Sequence, residues 1–213
     1  EMFAQDDVIM NGAGLEEKSY QQAIEGLKNA QLIMFRSKTG SYAFKNNIGV
    51  NMEEEIRQLA QKNYYSLSPK TNELCNKIQS LSELIYELPK RYNLTYAMTR
   101  YFGYHFMTVE DFLHLNANQT GFLFEENFAD GKLLCLIADT KVDKHQISVH
   151  LRELREDRII VLLPKTPFEK TELVKKILAV KELVSSDEFL ENNKALEQEC
   201  KLYEEDLTFE LQS

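Results

Sequence analysis

The period of the apolar residues changes near Tyr92, and that change constrains the fold more than any other feature of the chain. Before it, Tyr20, Ala23, Ile24 and Leu27 fall on one helical face, and Leu74, Ile78, Leu81 and Ile85 fall on another. After it, Leu94, Tyr96 and Met98, then Phe102, Tyr104 and Phe106, alternate with polar neighbours, as strand residues do. Thr108 to His114 predicts a short helical turn, and Phe122–Phe124 and Leu133–Ile137 predict strands around the turn Ala129-Asp130-Gly131. Ile147, Leu151 and Leu154 mark a helix, and Ile159 to Leu163 is a continuous apolar run bounded by Pro164, as in a buried strand. Alternating strands and helices of this kind build an α/β layer.

The N-terminal part reads differently. Residues 1–15, with Asn11-Gly12-Ala13-Gly14, predict a loop, and Ser19 with Gln22 offers a capping box for the helix that follows. Then comes LIMFRSKTGSYAFKNN, residues 32–47, two apolar-aromatic strands about a turn at Ser37-Lys38-Thr39-Gly40. Helix, strand, turn, strand is the C-terminal half of a winged helix. Asn51 caps an acidic-started helix, Ser68-Pro69 opens a longer one, and Pro89 ends it. A chain of 213 residues has room for two small cores. The expected fold class is therefore α/β (α+β): a winged-helix-like unit over 1–50, a helical connector over 51–90, and a mixed α/β domain over 91–213 that ends in a long amphipathic helix. In that last helix Phe189, Leu196 and Tyr203 are seven apart, as are Asn193, Cys200 and Leu207. Two readings stay open for it, packing on the domain or self-association through residues 187–213 as a coiled coil.

Charge is unevenly spread over the net −9. Lys18 to Ile48 holds five basic residues and one acidic, whereas Asp187 to Ser213 holds nine acidic and two basic. The hairpin therefore offers Arg36, Lys38 and Lys45 beside Phe35, Tyr42 and Phe44, which suits a wing touching phosphates, and the preceding helix adds Lys28. That helix carries no Arg, so the DNA contact expected is weak and independent of sequence. Docking of a protein partner is the competing reading of the same charges.

Other chemistry is sparse. No G-x-x-x-x-G-K-[ST] loop exists, and His105, His114, His145 and His150 include no i, i+4 pair, so no cofactor and no metal is expected. Cys75, Cys135 and Cys200 have no C-x-x-C spacing and read as reduced thiols of a cytoplasmic protein. No apolar run reaches the roughly 20 residues of a membrane span, and a first residue Glu1 reads as a segment excised from a longer protein. A metal-dependent nuclease is an alternative: Asp139 and Lys141 form a D-x-K at the end of a strand, with Asp130 and Glu125 upstream. Charges that merely end a sheet edge give the same pattern.

The succession YAFKNNIGVNMEEEI, YNLTYAMTRYFGYHFM and RIIVLLPKTPFEKTELVKKILAVKELV, followed by an acidic helix, resembles the region downstream of the ATPase module in the large P-loop ATPases of bacterial phage-defence systems of the BREX type. The resemblance spans residues 18–207 and rests on the order of segments. It implies a winged helix after an AAA-like module, then an accessory α/β domain and coiled coil, within a complex acting on or near DNA. No nucleotide-binding or catalytic residue carries over, so the segment is expected to transmit or anchor without hydrolysing. The expected function is a non-catalytic DNA- or partner-contacting module, with a protein-interaction scaffold assembling through its C-terminal helix as the alternative.

Overall fold

A computed structural model describes residues 4–45, 51–82, 84–125, 129–186 and 196–212. The fold is mixed α/β, with a four-stranded mixed sheet and a C-terminal helix. It has two compact units, Glu1–Tyr65 with Glu172–Ser213, and Ser66–Thr171, so the segment 51–90 is divided between them.

The first unit opens with helix α1 (Asp6–Ala13) where the sequence predicted a loop. Asp6 and Asp7 sit in its first turn, where carboxylates favour the helix dipole, and Gly14 takes the left-handed conformation that ends it. Helix α2 (Glu17–Asn29) starts before Ser19, so the expected capping box does not form. Burial decides its placement: Tyr20 and Ile24 pack with Ile33 in a small core. Strands β1 (Ile33–Arg36) and β2 (Ser41–Phe44) pair antiparallel with Arg36 opposite Ser41, and this is the predicted hairpin. Helix α3 (Met52–Asn63) begins as expected at Asn51, whose side chain accepts the Glu54 amide at 3.3 Å.

The second unit begins with α4 (Asn72–Leu81), shorter than the predicted helix: Thr71 stands at its N-cap, and Ser82 is already extended. Ile85 is therefore not on a helix face but exposed, just ahead of the two-residue strand β3 (Tyr86–Glu87). Residues expected as strand form helix α5 (Lys90–Tyr96), with Pro89 at the N-cap and left-handed Ala97 after it. Three alternating residues are too short a pattern to set the period, and the Asn93 side chain bonds both the amide and the carbonyl of Arg100, closing a turn. Strand β4 (Phe102–Thr108) leads into α6 (Val109–His114), the predicted helical turn, whose Asp111 amide is accepted by the Thr108 hydroxyl at 3.0 Å. Phe122 to Phe124 is not a strand either; it lies in the short helix α7 (Phe122–Glu125). Strand β5 (Gly131–Ile137), helix α8 (Lys144–Leu154) and strand β6 (Ile159–Leu162) follow as predicted.

The sheet order is β3-β4-β5-β6, with β4, β5 and β6 parallel and β3 antiparallel on β4. Parallel neighbours require crossovers, and α8 supplies the one from β5 to β6. Met107, Phe112, Leu134, Leu136, Ile147 and Ile159 form the core on which the sheet rests. The run Ile159–Leu163 predicts a buried strand, but β6 is an outer strand, and Ile160 and Leu162 are exposed.

The chain then returns to the first unit with α9 (Thr171–Ser185) and α10 (Leu196–Gln212). Met52, Ile56 and Ala60 of α3 meet Ala179, Val180 and Leu183 of α9 and Leu196 and Cys200 of α10. Burying each large side chain of this set contributes about 1.5–3 kcal/mol. Tyr203 and Leu207 pack on the same core, so the seven-residue series is used within the unit; Phe189 and Asn193 lie outside the described residues.

Candidate functional site

The hairpin cations lie against α10. Arg36 Nε is 2.6 Å from Asp206 Oδ2 and its Nη2 is 3.4 Å from Glu205, while Lys38 Nζ is 3.3 Å from Glu205. The Lys38 amide donates to the other Asp206 oxygen at 3.2 Å, and the Ser37 hydroxyl to Glu210 at 2.5 Å. Asp206 is 5% exposed, so its charge needs these partners. The Lys45 side chain is only 6% exposed, with Nζ 3.7 Å from Glu53 and 4.0 Å from Glu199, and it lies 5.9 Å from the Tyr203 ring centre. Lys28 sits 5.1 Å from the Tyr42 ring centre and 5.9 Å from that of Phe35. All four candidate DNA contacts are thus engaged by side chains of their own unit.

Electrostatics in this cluster are asymmetric. Burial pushes the Glu199 carboxyl above its usual range, Lys45 opposes the shift and Glu53 adds to it. One Glu199 oxygen is buried without a hydrogen-bond partner among the described residues. Tyr203 donates to Glu53 at 3.0 Å, and burial followed by that carboxylate raises its pKa. On the opposite side of the hairpin, Tyr20 and Tyr42 both donate to Asp6. Sequence reasoning found the cations but missed their partners, although the acidic run that supplies them was visible.

The second unit has an apolar edge. Ile85 and Tyr86 at β3 and Leu94 and Tyr96 on α5 are exposed by 71, 56, 84 and 60%, and Lys90 and Arg91 at the start of α5 form no ion pair among the described residues. Strand β3 ends the sheet, so one side of it is an edge. No sequence signal separated this edge from the core, because its residues are as apolar as core residues.

At the carboxyl ends of β4 and β5 lies a cleft of about 610 Å³, lined by Glu110, Leu113, Asp139, Lys141 and Gln146 among others. Asp139 is 3.1 Å from Lys70. Asp130 lies at the other end of β5, bonded to the Tyr101 amide and to Arg100, which hold its carboxyl below the usual range. At ~3.3 Å per residue the two carboxylates are on the order of 25 Å apart, too far to share one ion. Among the described residues no group of three or more His, Cys, Asp or Glu is placed to hold a metal. Burial raises the thiol of Cys75 to about 12 and those of Cys135 and Cys200 to about 11, so none is an activated nucleophile.

No helix of the described residues is long and apolar enough to cross a membrane. No protein-family model, curated protein or solved structure matches the chain.

Proposed function

We propose that the chain is a non-catalytic, partner-contacting module of a larger assembly, and that the partner is protein rather than DNA. The observation that carries this reading is the engagement of Arg36, Lys38, Lys45 and Lys28 within their own unit. A phosphate could reach Arg36 only by displacing Asp206, and it would do so beside the acidic residues of α10. Non-specific DNA affinity comes mainly from releasing counterions as cations neutralise phosphates, and Arg36, Lys38 and Lys45 are already paired with carboxylates, while Lys28 lies against aromatic rings. In this reading α2, β1 and β2 are the helix and wing of a winged-helix-like unit whose wing is packed against its own C-terminal helix. The host proposed is a bacterial phage-defence ATPase of the kind the chain resembles, supported by the order of segments.

The surface for the partner is the β3 edge. An extended segment can add its backbone to an open strand edge, and exposed apolar side chains with Lys90 and Arg91, unpaired among the described residues, favour a segment carrying apolar and acidic residues. The test is fluorescence anisotropy of labelled duplex and single-stranded DNA titrated with the chain at several salt concentrations. No binding is expected even at low salt. Binding that weakens steeply with salt and is lost in Arg36→Glu/Lys38→Glu would overturn the reading. A photo-crosslinking residue at position 85 of the parent assembly, with DNA present, is expected to yield protein adducts; DNA adducts alone, or none, would remove the edge as the docking surface.

A further inference from the structure

A smaller cavity of about 110 Å³, between the loops that follow β5 and β6, shares Thr140, Lys141 and Val142 with the cleft above β4 and β5. Lys141, Lys144 and Lys165 line it together with Thr140 and Thr166, and no carboxylate does. In a chain of net charge −9 this is a local reversal of sign. None of the three ammonium groups makes an ion pair or hydrogen bond among the described residues. Asp143, adjacent to Lys144 in sequence, does not neutralise them by hydrogen bonding, because its carboxylate caps α8 by accepting the His145 amide at 2.8 Å and the Gln146 amide at 3.4 Å.

The cavity is also held in shape. Its far wall is Leu163-Pro164-Lys165-Thr166-Pro167, where two prolines fix the backbone, and the Phe168 amide immediately after bonds the Ala138 carbonyl at the end of β5 at 2.7 Å. Lys165 is thereby brought to the same cavity as Lys141 and Lys144, at the carboxyl edge of the parallel strands, where α/β folds bind ligands. From this we infer that the second unit binds a small phosphomonoester, with its phosphoryl group in the lysine cavity and the rest of the molecule in the adjoining cleft.

Size and charge both bear on the ligand. A volume of about 110 Å³ holds three to four water-sized groups, at ~30 Å³ each, which suits one phosphoryl group and not a chain of them. The cleft of about 610 Å³ falls in the ~300–1,000 Å³ range of small-molecule sites. Its walls carry Glu110, Asp139 and Asp143 against Lys70 and Lys141, with Lys70 paired to Asp139 and Leu113 and Ile137 beside them, so it offers acceptors for hydroxyl or amino donors on a partly apolar body and no surplus of cations for a second phosphate. A nucleoside monophosphate has this distribution of charge and hydrogen-bonding groups.

The experiment follows backbone amide NMR shifts of the whole chain as inorganic phosphate, adenosine monophosphate or adenosine is added. Shifts at residues 140–144 and 163–168 are expected with phosphate and, more tightly, with the monophosphate, whereas adenosine alone leaves them unmoved. Replacing Lys141 and Lys165 by Gln is expected to weaken monophosphate binding at least tenfold; replacing both by Arg retains it, which separates charge from folding. Lys77→Gln, on α4 and away from the cavity, leaves binding unchanged. No shift at these residues up to millimolar ligand, or binding that survives loss of both charges, would overturn the inference. Because DNA binding and the β3 edge are read separately, failure here leaves the proposed function standing.

Discussion

Replacing Arg36 by Ala tests how the hairpin is held. The substitution leaves Asp206, only 5% exposed, with a single remaining bond from the Lys38 amide. Breaking a buried ion pair from one side costs about 3–5 kcal/mol, because the other charge stays buried without its partner. The surviving amide bond and the half-exposed Glu205 place this case near the lower figure, about 3 kcal/mol. Lys38→Ala removes only a contact in which both side chains are 50% exposed, worth at most about 1 kcal/mol. The assay is native-state hydrogen exchange of α10 amides, which reads the opening free energy of that helix within a chain of two units. At 1.4 kcal/mol per tenfold, the expected loss is roughly a hundredfold in protection for Arg36→Ala and well under tenfold for Lys38→Ala. Arg36→Met with Asp206→Leu is expected to recover most of the loss, since a buried pair replaced by apolar groups is often neutral. Protection in Arg36→Ala within a few-fold of the parent would refute the account, and with it the claim that α10 holds the hairpin cations.

Two further outcomes follow from the packing. The Glu199 carboxyl titrates above its usual 4.5 in the folded chain because it is buried, so the folded state holds its proton more tightly than the unfolded one and stability is lost as pH rises through that window. Glu199→Gln is therefore expected to gain stability over the parent progressively from pH 4.5 upwards, measured by urea titration at a series of pH values; a difference independent of pH would contradict it. In the second unit, a Cβ at Gly131 would lie 2.3 Å from a Phe102 ring carbon and 2.7 Å from the Arg158 carbonyl oxygen. Gly131→Ala is expected to destabilise β4–β5 pairing by about 1–3 kcal/mol through overpacking, read by hydrogen exchange in both strands, and unchanged protection would rule out that tight approach.

Elements with long or chemically marked patterns were legible in the sequence. The hairpin, the Asn51 cap, the Thr108 turn and the strand–helix–strand run from Gly131 to Leu162 all lie where residue type and spacing put them. The misses have a common cause. At Leu94–Met98 and Phe122–Phe124 three apolar positions fit a strand or one face of a short helix, and the choice was made by end geometry, including the Asn93 bonds to Arg100. At Asn11–Gly14 the glycines were read as a loop, whereas one of them ends a helix that Asp6 and Asp7 begin. Candidate site residues were legible as charges but not as contacts, because Arg36 and Asp206 are 170 residues apart.

A basic hairpin and an acidic helix in one chain admit two physical outcomes, and burial distinguishes them. Two exposed segments of opposite sign attract weakly in water, leaving each free to meet another partner. Asp206 is in a different position: at 5% exposure its ionised form is tolerable only with a cation and an amide in place, so its contact with Arg36 is required by desolvation. Glu205 and Lys38, both half exposed, form the solvated rim of that contact. Any polyanion that recruited the hairpin would therefore have to compensate for stranding Asp206 before gaining anything from Arg36. The lysines around the cavity above β5 face no such competitor among the described residues, where no carboxylate lines the cavity with them. On this criterion the anion-binding capacity of the chain resides in the second unit, while its most basic stretch of sequence serves the packing of the first.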